Sequence, residues 1–204
     1  LQVIDKASYE WPRIMKEQCG DQLRASARMI KEVFRDLHVS GKVGVYGRAE
    51  QGHTLLMFEE MQASIPEVYF VAESMPNVLQ LAQQTKGSQE IARIRRIVAA
   101  AMEIVGQTRD FLESHASKDG RLITSSGADL KVGDVKREIR RWTLEHKMEL
   151  PQGIIFSIGS DSAIPHSRGD DESLLELGRT IVFDYCPREE SGGYFCDFTR
   201  TWCL

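Results

Sequence analysis

The amino-acid sequence predicts a chain of α/β (α+β) class in two parts, residues 1–85 and residues 86–204. Before residue 85, short strand-like runs alternate with amphipathic helical stretches, which is typical of a small α/β layer. After residue 86 comes a long helical pattern, and later three runs rich in β-branched and aromatic residues. The 42% of apolar residues is ordinary for a globular chain and sufficient for a core.

The first part contains predicted helices and strands in alternation. Asp21 is placed to cap a helix whose apolar residues recur every three or four positions from Leu23 to Leu37. The elements predicted after it are a strand over 42–46, a helix over 53–65 ended by Pro66, a strand over 68–72 and a short helix over 75–85 with Pro76 in its first turn.

The second part begins with the strongest periodic pattern of the chain. Ser88 is its predicted N-cap, and Glu90 supports the positive end of the helix. Its main apolar positions are Ile91, Ile94, Val98, Ala101, Val105, Thr108 and Leu112, with Ile97, Ile104 and Phe111 widening the face. Asp134 is predicted to cap a second helix. Three strand-like runs follow, at 154–158, 180–185 and 193–202.

Charge and composition exclude several classes of protein. The net charge of -4 argues against a basic surface that binds nucleic acid. The sequence contains no run of about 18 apolar residues, the length that a membrane-spanning helix needs. The N-terminus has neither a starting Met nor the apolar region of a signal peptide, so we expect a cytoplasmic protein and a piece or processed product of a longer one. No Cys-x-x-Cys motif occurs, and we expect buried free thiols rather than a disulfide.

Two aspartates stand out in the last two strand-like runs. Asp184 ends an apolar strand, and Asp197 lies on the same face of the next run as Phe195, Thr199 and Thr201. Carboxylates on neighbouring strands can converge on one divalent cation. Spacing alone leaves a second interpretation open, and favours it: both residues are solvated aspartates at strand ends.

The stretch that holds these residues resembles the metal-binding core of the creatinase, aminopeptidase P and Xaa-Pro dipeptidase family, whose catalytic domain has the pita-bread fold. The matching features are Pro165-His166, the turn Leu175–Gly178, Asp184, Gly193-Tyr194 and Asp197–Thr201. The start of the long helix at 86–91 is similar to the family's domain entry. The resemblance implies that residues 1–85 form a creatinase-like N-terminal domain, incomplete at its start. Residues 86–204 then form the N-terminal half of a pita-bread metallopeptidase domain.

The resemblance also implies roles for four residues. Asp184 is a ligand of one metal ion, Asp197 bridges two ions, and Thr199 supports the metal ligands. His166 is a catalytic and substrate-binding residue that contacts the bound peptide or the tetrahedral intermediate, a role that imidazole suits near pH 7. The implied cofactors are two divalent ions, Mn, Co or Zn, in the complete protein. The implied partners are a proline-containing peptide and a second copy of the chain in a homodimer.

The chain departs from the family pattern in two ways. Cys186 stands two residues after Asp184, where the family usually has Gly, and the loop over 186–192 is slightly longer than usual. The family's other ligands, one His and two Glu, lie downstream of the matched strand. We therefore expect a Xaa-Pro metallopeptidase whose present 204 residues bind metal weakly and are inactive alone. The alternatives are a non-catalytic pita-bread module that binds peptide or protein, and a creatinase-type amidinohydrolase.

Overall fold

Local capping and apolar periodicity account for most elements of the computed structural model, which describes residues 5–204. The chain divides into two compact units, Leu1–Thr85 and Lys86–Leu204. Among the described residues no helix is both long and apolar enough to cross a lipid bilayer.

The first unit is a parallel pair of strands with helices around it. Its elements are a 3-10 helix at Lys6–Tyr9, α1 (Trp11–Glu17), α2 (Gln22–Asp36), β1 (Gly41–Gly44), α3 (Gln51–Ser64), β2 (Val68–Val71) and α4 (Val78–Gln83). Strands β1 and β2 pair in parallel, and α3 is the crossover that a parallel pair requires. The Asp21 carboxylate accepts the Arg24 N–H at 3.0 Å, which confirms the predicted cap of α2.

The short helix α4 starts later than the sequence pattern suggests. Pro76 does not lie in its first turn, because Asn77 is the N-cap. The Asn77 side chain accepts the Gln80 N–H at 3.1 Å, and the Gln80 side chain accepts the Asn77 N–H at 2.9 Å. This reciprocal pair of bonds satisfies two free donors and sets the first residue of the helix.

In the second unit, the long helix α5 covers Ser88–Glu113. Gly87 is its N-cap, one residue before the predicted Ser88, because the Glu90 carboxylate reaches back to the Gly87 N–H at 2.7 Å. The buried stripe is Ile97, Ala101, Ile104, Thr108 and Leu112. Ile97 and Ile104, which the pattern placed at the margin, are therefore central, and Val98 and Val105 are only partly buried.

The second helix of this unit, α6, covers Val132–Glu145. Asp134 was predicted to be its N-cap, but the N-cap is Lys131, and Asp134 lies in the first turn of the helix. Its carboxylate accepts the Lys131 N–H at 3.0 Å, which is the same chemistry displaced by three residues. Val135, Ile139 and Trp142 are buried, as the helical spacing predicts.

The strands of the second unit form three small antiparallel sheets. They are β3 (Ala116–Lys118) with β4 (Arg121–Ile123), β5 (Met148–Glu149) with β8 (Arg188–Glu189), and β6 (Ile155–Ile158), β7 (Thr180–Tyr185) and β9 (Phe198–Cys203) in the order β6-β7-β9. A 3-10 helix, Gly159–Ala163, follows β6. The run predicted as a strand over 193–202 pairs with β7 only from Phe198, because the residues before it return from a hairpin.

The three-stranded sheet has one face in the core. Phe156, Ile181, Phe183 and Tyr185 are fully buried and belong to one apolar cluster with α5 and α6. The rings of Phe183 and Tyr185 lie 5.5 Å apart, and burial of one such side chain contributes about 1.5–3 kcal/mol. Burial on this face determines which residues of β7 point away from the core.

Candidate active site

The register of β7 and β9 places the first aspartate. Asp184 is paired with Thr199, and the next residue Tyr185 is paired with Phe198. Side chains alternate along a strand, so Asp184 and Thr199 share the face opposite to buried Tyr185. The sheet therefore presents a carboxylate and a hydroxyl side by side, away from the core.

The second aspartate follows from the continuation of the same ladder. Beyond Tyr185, the Cys196 N–H donates to the Pro187 carbonyl at 2.9 Å, and Arg188 is bridged to Phe195. This pairing sets Asp197 opposite Cys186, one step along from Phe198. Because alternate residues share a face, Asp197 and Cys186 project on the same side as Asp184.

A hydrogen bond orients the Asp184 carboxylate. The Thr199 hydroxyl donates to Asp184 Oδ1 at 2.7 Å. Thr199, which the resemblance assigned a supporting role, is thus the side chain that fixes one oxygen of the first carboxylate. A bond of this kind limits the directions in which the remaining lone pairs can bind a ligand.

The two carboxylates lie close enough to affect each other's protonation. Partial burial, the negative charge of Asp184 and a hydrogen bond between the two carboxyl groups raise the pKa of Asp197. Two like charges held together in this way are relieved by a bound cation.

The cysteines around the aspartates are neutral thiols. Burial, followed by the charges of Asp197 and Asp184, raises the pKa of Cys186. Burial and the charge of Asp197 raise the pKa of Cys196 to about 11. All four cysteines are free, as predicted, but only Cys196 is buried. Of the three cysteines near the C-terminus, Cys203 is exposed and Cys186 is partly buried, so the expectation of buried thiols is wrong for Cys203.

The hairpin between the aspartates is held at its tip. The Glu149 carboxylate accepts the Arg188 guanidinium at 2.8 Å and the Gly192 N–H at 3.1 Å. Arg93 of α5 pairs with Glu189, and its guanidinium lies 5.0 Å from the centre of the Tyr194 ring. These contacts fix the return strand that carries Asp197.

His166 lies on a separate loop, between the 3-10 helix after β6 and strand β7. The Ser167 N–H donates to the Ile164 carbonyl at 3.1 Å, so Ile164–Ser167 form a turn with Pro165 second and His166 third. His166 has φ 60° at the position where such a turn prefers glycine. A side chain kept in this conformation costs about 1–2 kcal/mol.

The structure brings Asp184, Asp197 and Thr199 together but does not join His166 to them. Within residues 5–204, His166 is exposed and makes no hydrogen bond or ion pair with either aspartate. A pocket of about 320 Å³ lies at the base of its loop, lined by Ile158, Gly159, Ser160, Ser173, Leu174, Glu176 and Arg179. That pocket includes neither aspartate.

The donor set fits part of a site for divalent cations. Two carboxylates on one face are hard oxygen donors of the kind that such cations accept. Across residues 5–204 there is no group of three or more His, Cys, Asp or Glu side chains arranged to hold an ion. Asp184 and Asp197 could therefore provide two oxygen ligands, which is less than a complete coordination shell.

The sequence pattern missed one buried residue that contacts the loop of His166. Lys136 lies on the buried face of α6, one turn after Val132 and three residues before Ile139, and is only 3% exposed. A lysine at a core position of an amphipathic helix was the available signal. Its ammonium group contacts the segment that follows His166.

Comparison with solved structures gives the fold a context. An X-Pro aminopeptidase from Thermotoga maritima matches with a TM-score of 0.64 at 17% identity, over 91% of this chain and 45% of the other. A Xaa-Pro dipeptidase from Bacillus anthracis matches with a TM-score of 0.65 at 17% identity, over 89% and 44%. A prolidase from Pyrococcus furiosus matches with a TM-score of 0.59 at 18% identity, over 84% and 44%.

These likenesses concern the fold. No family model matches the sequence, and no curated protein matches it. The chain spans about 45% of the length of the aminopeptidase. The predicted class is confirmed: the chain has a small α/β domain followed by the first half of the pita-bread fold, the fold that it shares with solved X-Pro aminopeptidases, Xaa-Pro dipeptidases and prolidases.

Proposed function

We propose that these residues form the first part of a metal-dependent Xaa-Pro peptidase, a hydrolase that cleaves peptide bonds next to proline. The observation that carries the proposal is the pair Asp184 and Asp197 on one sheet face, with Thr199 bonded to the first carboxylate at 2.7 Å. The pair occurs in a fold shared with an X-Pro aminopeptidase and a Xaa-Pro dipeptidase.

Each residue has a proposed role. Asp184 and Asp197 hold two divalent ions, Mn, Co or Zn, with Thr199 fixing the first carboxylate. Such ions, when bound, activate a water molecule and polarise the scissile carbonyl. His166 contacts the proline-containing peptide from its loop, where an exposed imidazole can donate to a carbonyl oxygen. The complete protein is proposed to be a cytoplasmic homodimer.

The 204-residue chain alone is proposed to be inactive. Two carboxylates leave most of a metal pair's coordination to water, and a site of that kind binds ions weakly. We expect no metal-dependent hydrolysis of a Xaa-Pro dipeptide by the isolated chain. Turnover that rises with added Mn, Co or Zn and disappears with a chelator would contradict this.

A second candidate is a pita-bread module that binds peptide or protein without cleaving it. Cys186 favours this reading, because it places a protonated thiol beside both carboxylates at the position where the family usually has glycine. The creatinase-type amidinohydrolase shares the fold, and no residue of the site distinguishes it from a peptidase.

The decisive experiment uses the protein expressed from the complete reading frame. We expect about two bound divalent ions per chain and hydrolysis of Xaa-Pro dipeptides. Asp184→Asn and Asp197→Asn should abolish both, whereas Asp110→Asn, on the exposed side of α5, should change neither. Peptide binding without metal or hydrolysis would favour the binding module, and hydrolysis of a guanidino substrate alone would favour the amidinohydrolase.

A further inference from the structure

Lys136 is a charged residue in the core of the second unit. It lies on α6 with 3% of its surface exposed. Lysine is seldom buried to this extent without partners, because removal of an ammonium group from water is costly. Its Nζ donates to the Gly169 carbonyl at 2.8 Å and to Asp171 Oδ1 at 2.6 Å. The cost of burial is thus offset by contacts to a single short segment.

That segment, residues 168–171, is called the anchor segment below. It is bound on the sheet side as well, because the Phe156 N–H donates to the Arg168 carbonyl at 3.3 Å. On the helix side the Gly133 N–H donates to the Asp171 carbonyl at 2.9 Å. The anchor segment therefore lies between β6 and α6, and Lys136 is a buried charged contact that holds it.

Gly169 shows how closely the anchor segment fits. Its φ is +75°, and a Cβ built there would lie 2.2 Å from the Phe156 carbonyl oxygen. No other residue fits this space without displacing the strand. Gly169 is therefore held in two ways: its carbonyl accepts a hydrogen bond from Lys136, and its lack of a side chain allows it to lie against β6.

The anchor segment is the end of the loop that carries His166. The loop leaves the sheet through the 3-10 helix after β6, turns at Ile164–Ser167 and reaches the anchor segment two residues after His166. The imidazole itself is exposed and unbonded within the described part of the chain. The position of the His166 backbone therefore depends on the fixed ends of the loop.

We propose that Lys136 is a positioning residue for His166: its ammonium group fixes the anchor segment to α6 and so sets where the imidazole lies relative to the β6-β7-β9 sheet. The functional meaning of this position rests on the proposed function. The physical claim concerns the coupling between a buried ammonium group and an exposed imidazole.

The coupling can be measured in the 204-residue chain by NMR of the histidine Cε1–H groups. Lys136→Met removes the charge and both hydrogen bonds with little loss of volume. We expect the His166 resonance to shift by more than its line width and to broaden. His38 and His53, in the other unit, serve as internal references and should not change.

Two further variants separate positioning from general destabilisation. Lys131→Met breaks the neighbouring ion pair between Lys131 and Glu172, in which the side chains are 42% and 76% exposed, respectively. This variant should leave the His166 resonance unchanged. Lys136→Arg keeps a cation within reach of Asp171 and should restore part of the wild-type signal. If Lys136→Met does not fold, Asp171→Asn weakens the same anchor from its exposed side and should shift His166 in the same direction.

An unchanged His166 resonance in folded Lys136→Met, or an equal change in Lys131→Met, would overturn the inference. Neither outcome depends on hydrolysis. A different result would contradict the proposed role of His166 in peptide hydrolysis: unaltered Xaa-Pro hydrolysis by His166→Ala in the complete protein. The two ideas can thus fail independently.

Discussion

The replacement of Gly169 by alanine is the perturbation whose effect follows most directly from the local packing. The residue has φ +75°, a left-handed conformation that costs an L-residue about 1–2 kcal/mol. This conformational cost applies to any alanine placed in the left-handed region. It therefore needs to be separated from the effect of local packing.

The packing effect arises from two backbone atoms. The new Cβ would lie 2.2 Å from the Phe156 carbonyl oxygen and 2.9 Å from the Ser157 Cα. Both atoms belong to β6, which is paired with β7, so neither can move without disturbing the ladder. Overpacking of this kind costs about 1–3 kcal/mol or more. The summed loss for Gly169→Ala is about 2–5 kcal/mol.

Gly178→Ala is the matched control. Gly178 has φ +74°, and a Cβ there meets no atom within 4 Å, so this variant should lose only about 1–2 kcal/mol. Urea denaturation in a Trp11→Phe background, followed by the fluorescence of Trp142 and Trp202, reports on the second unit. Equal losses of unfolding free energy in the two variants would refute the packing argument.

Three other predictions concern single side chains. His166→Gly should raise the unfolding free energy by roughly 0.5–1 kcal/mol, because relief of the left-handed conformation exceeds the entropic cost of glycine; His166→Ala, measured by the same urea titration, should show no gain. Burial raises the pKa of Tyr185 to about 12. The unfolded group titrates near 10, so the folded state keeps a proton that the unfolded state loses. This group alone should lower stability by up to roughly 2–3 kcal/mol between pH 10 and 12; Tyr185→Phe should reduce the slope by that contribution, and an unchanged slope would contradict the assignment. In the complete protein, Thr199→Val should weaken metal affinity about tenfold through loss of the bond to Asp184, as measured by calorimetry, whereas Thr201→Val on the same face should not.

The elements that sequence reasoning placed correctly are those with a local cause. The helix capped by Asp21 and strand β7 at Thr180–Tyr185 have the predicted starts or bounds, because a side-chain cap and a period of two act over a few residues. The errors at Ser88 and Asp134 have one reason. In both cases an acidic side chain at the third helical position bonds back to the N-cap N–H, so the acid lies inside the helix.

The strands β5 and β8 escaped prediction, because each has two residues and exists only through pairing across the chain. The same limit applies to the site. Alternation along the strand grouped Asp197 with Thr199 and Thr201 on one face, but only the register shows that Asp184 shares that face. Lys136 was readable as an anomaly on an apolar helix face, whereas its partners at 169 and 171 depend on tertiary folding.

The ladder between β7 and β9 also bears on how such chains diverge. Backbone pairing at Asp184–Thr199 and Tyr185–Phe198 determines the separation of the two carboxylates. The number of residues in the hairpin between them does not enter that distance. Insertions or deletions at the tip that keep the contacts of Glu149 with Arg188 and the backbone of residue 192 would leave the carboxylates together. The backbone pairing, and not the number of residues between the two aspartates, is what holds the carboxylates together in this fold.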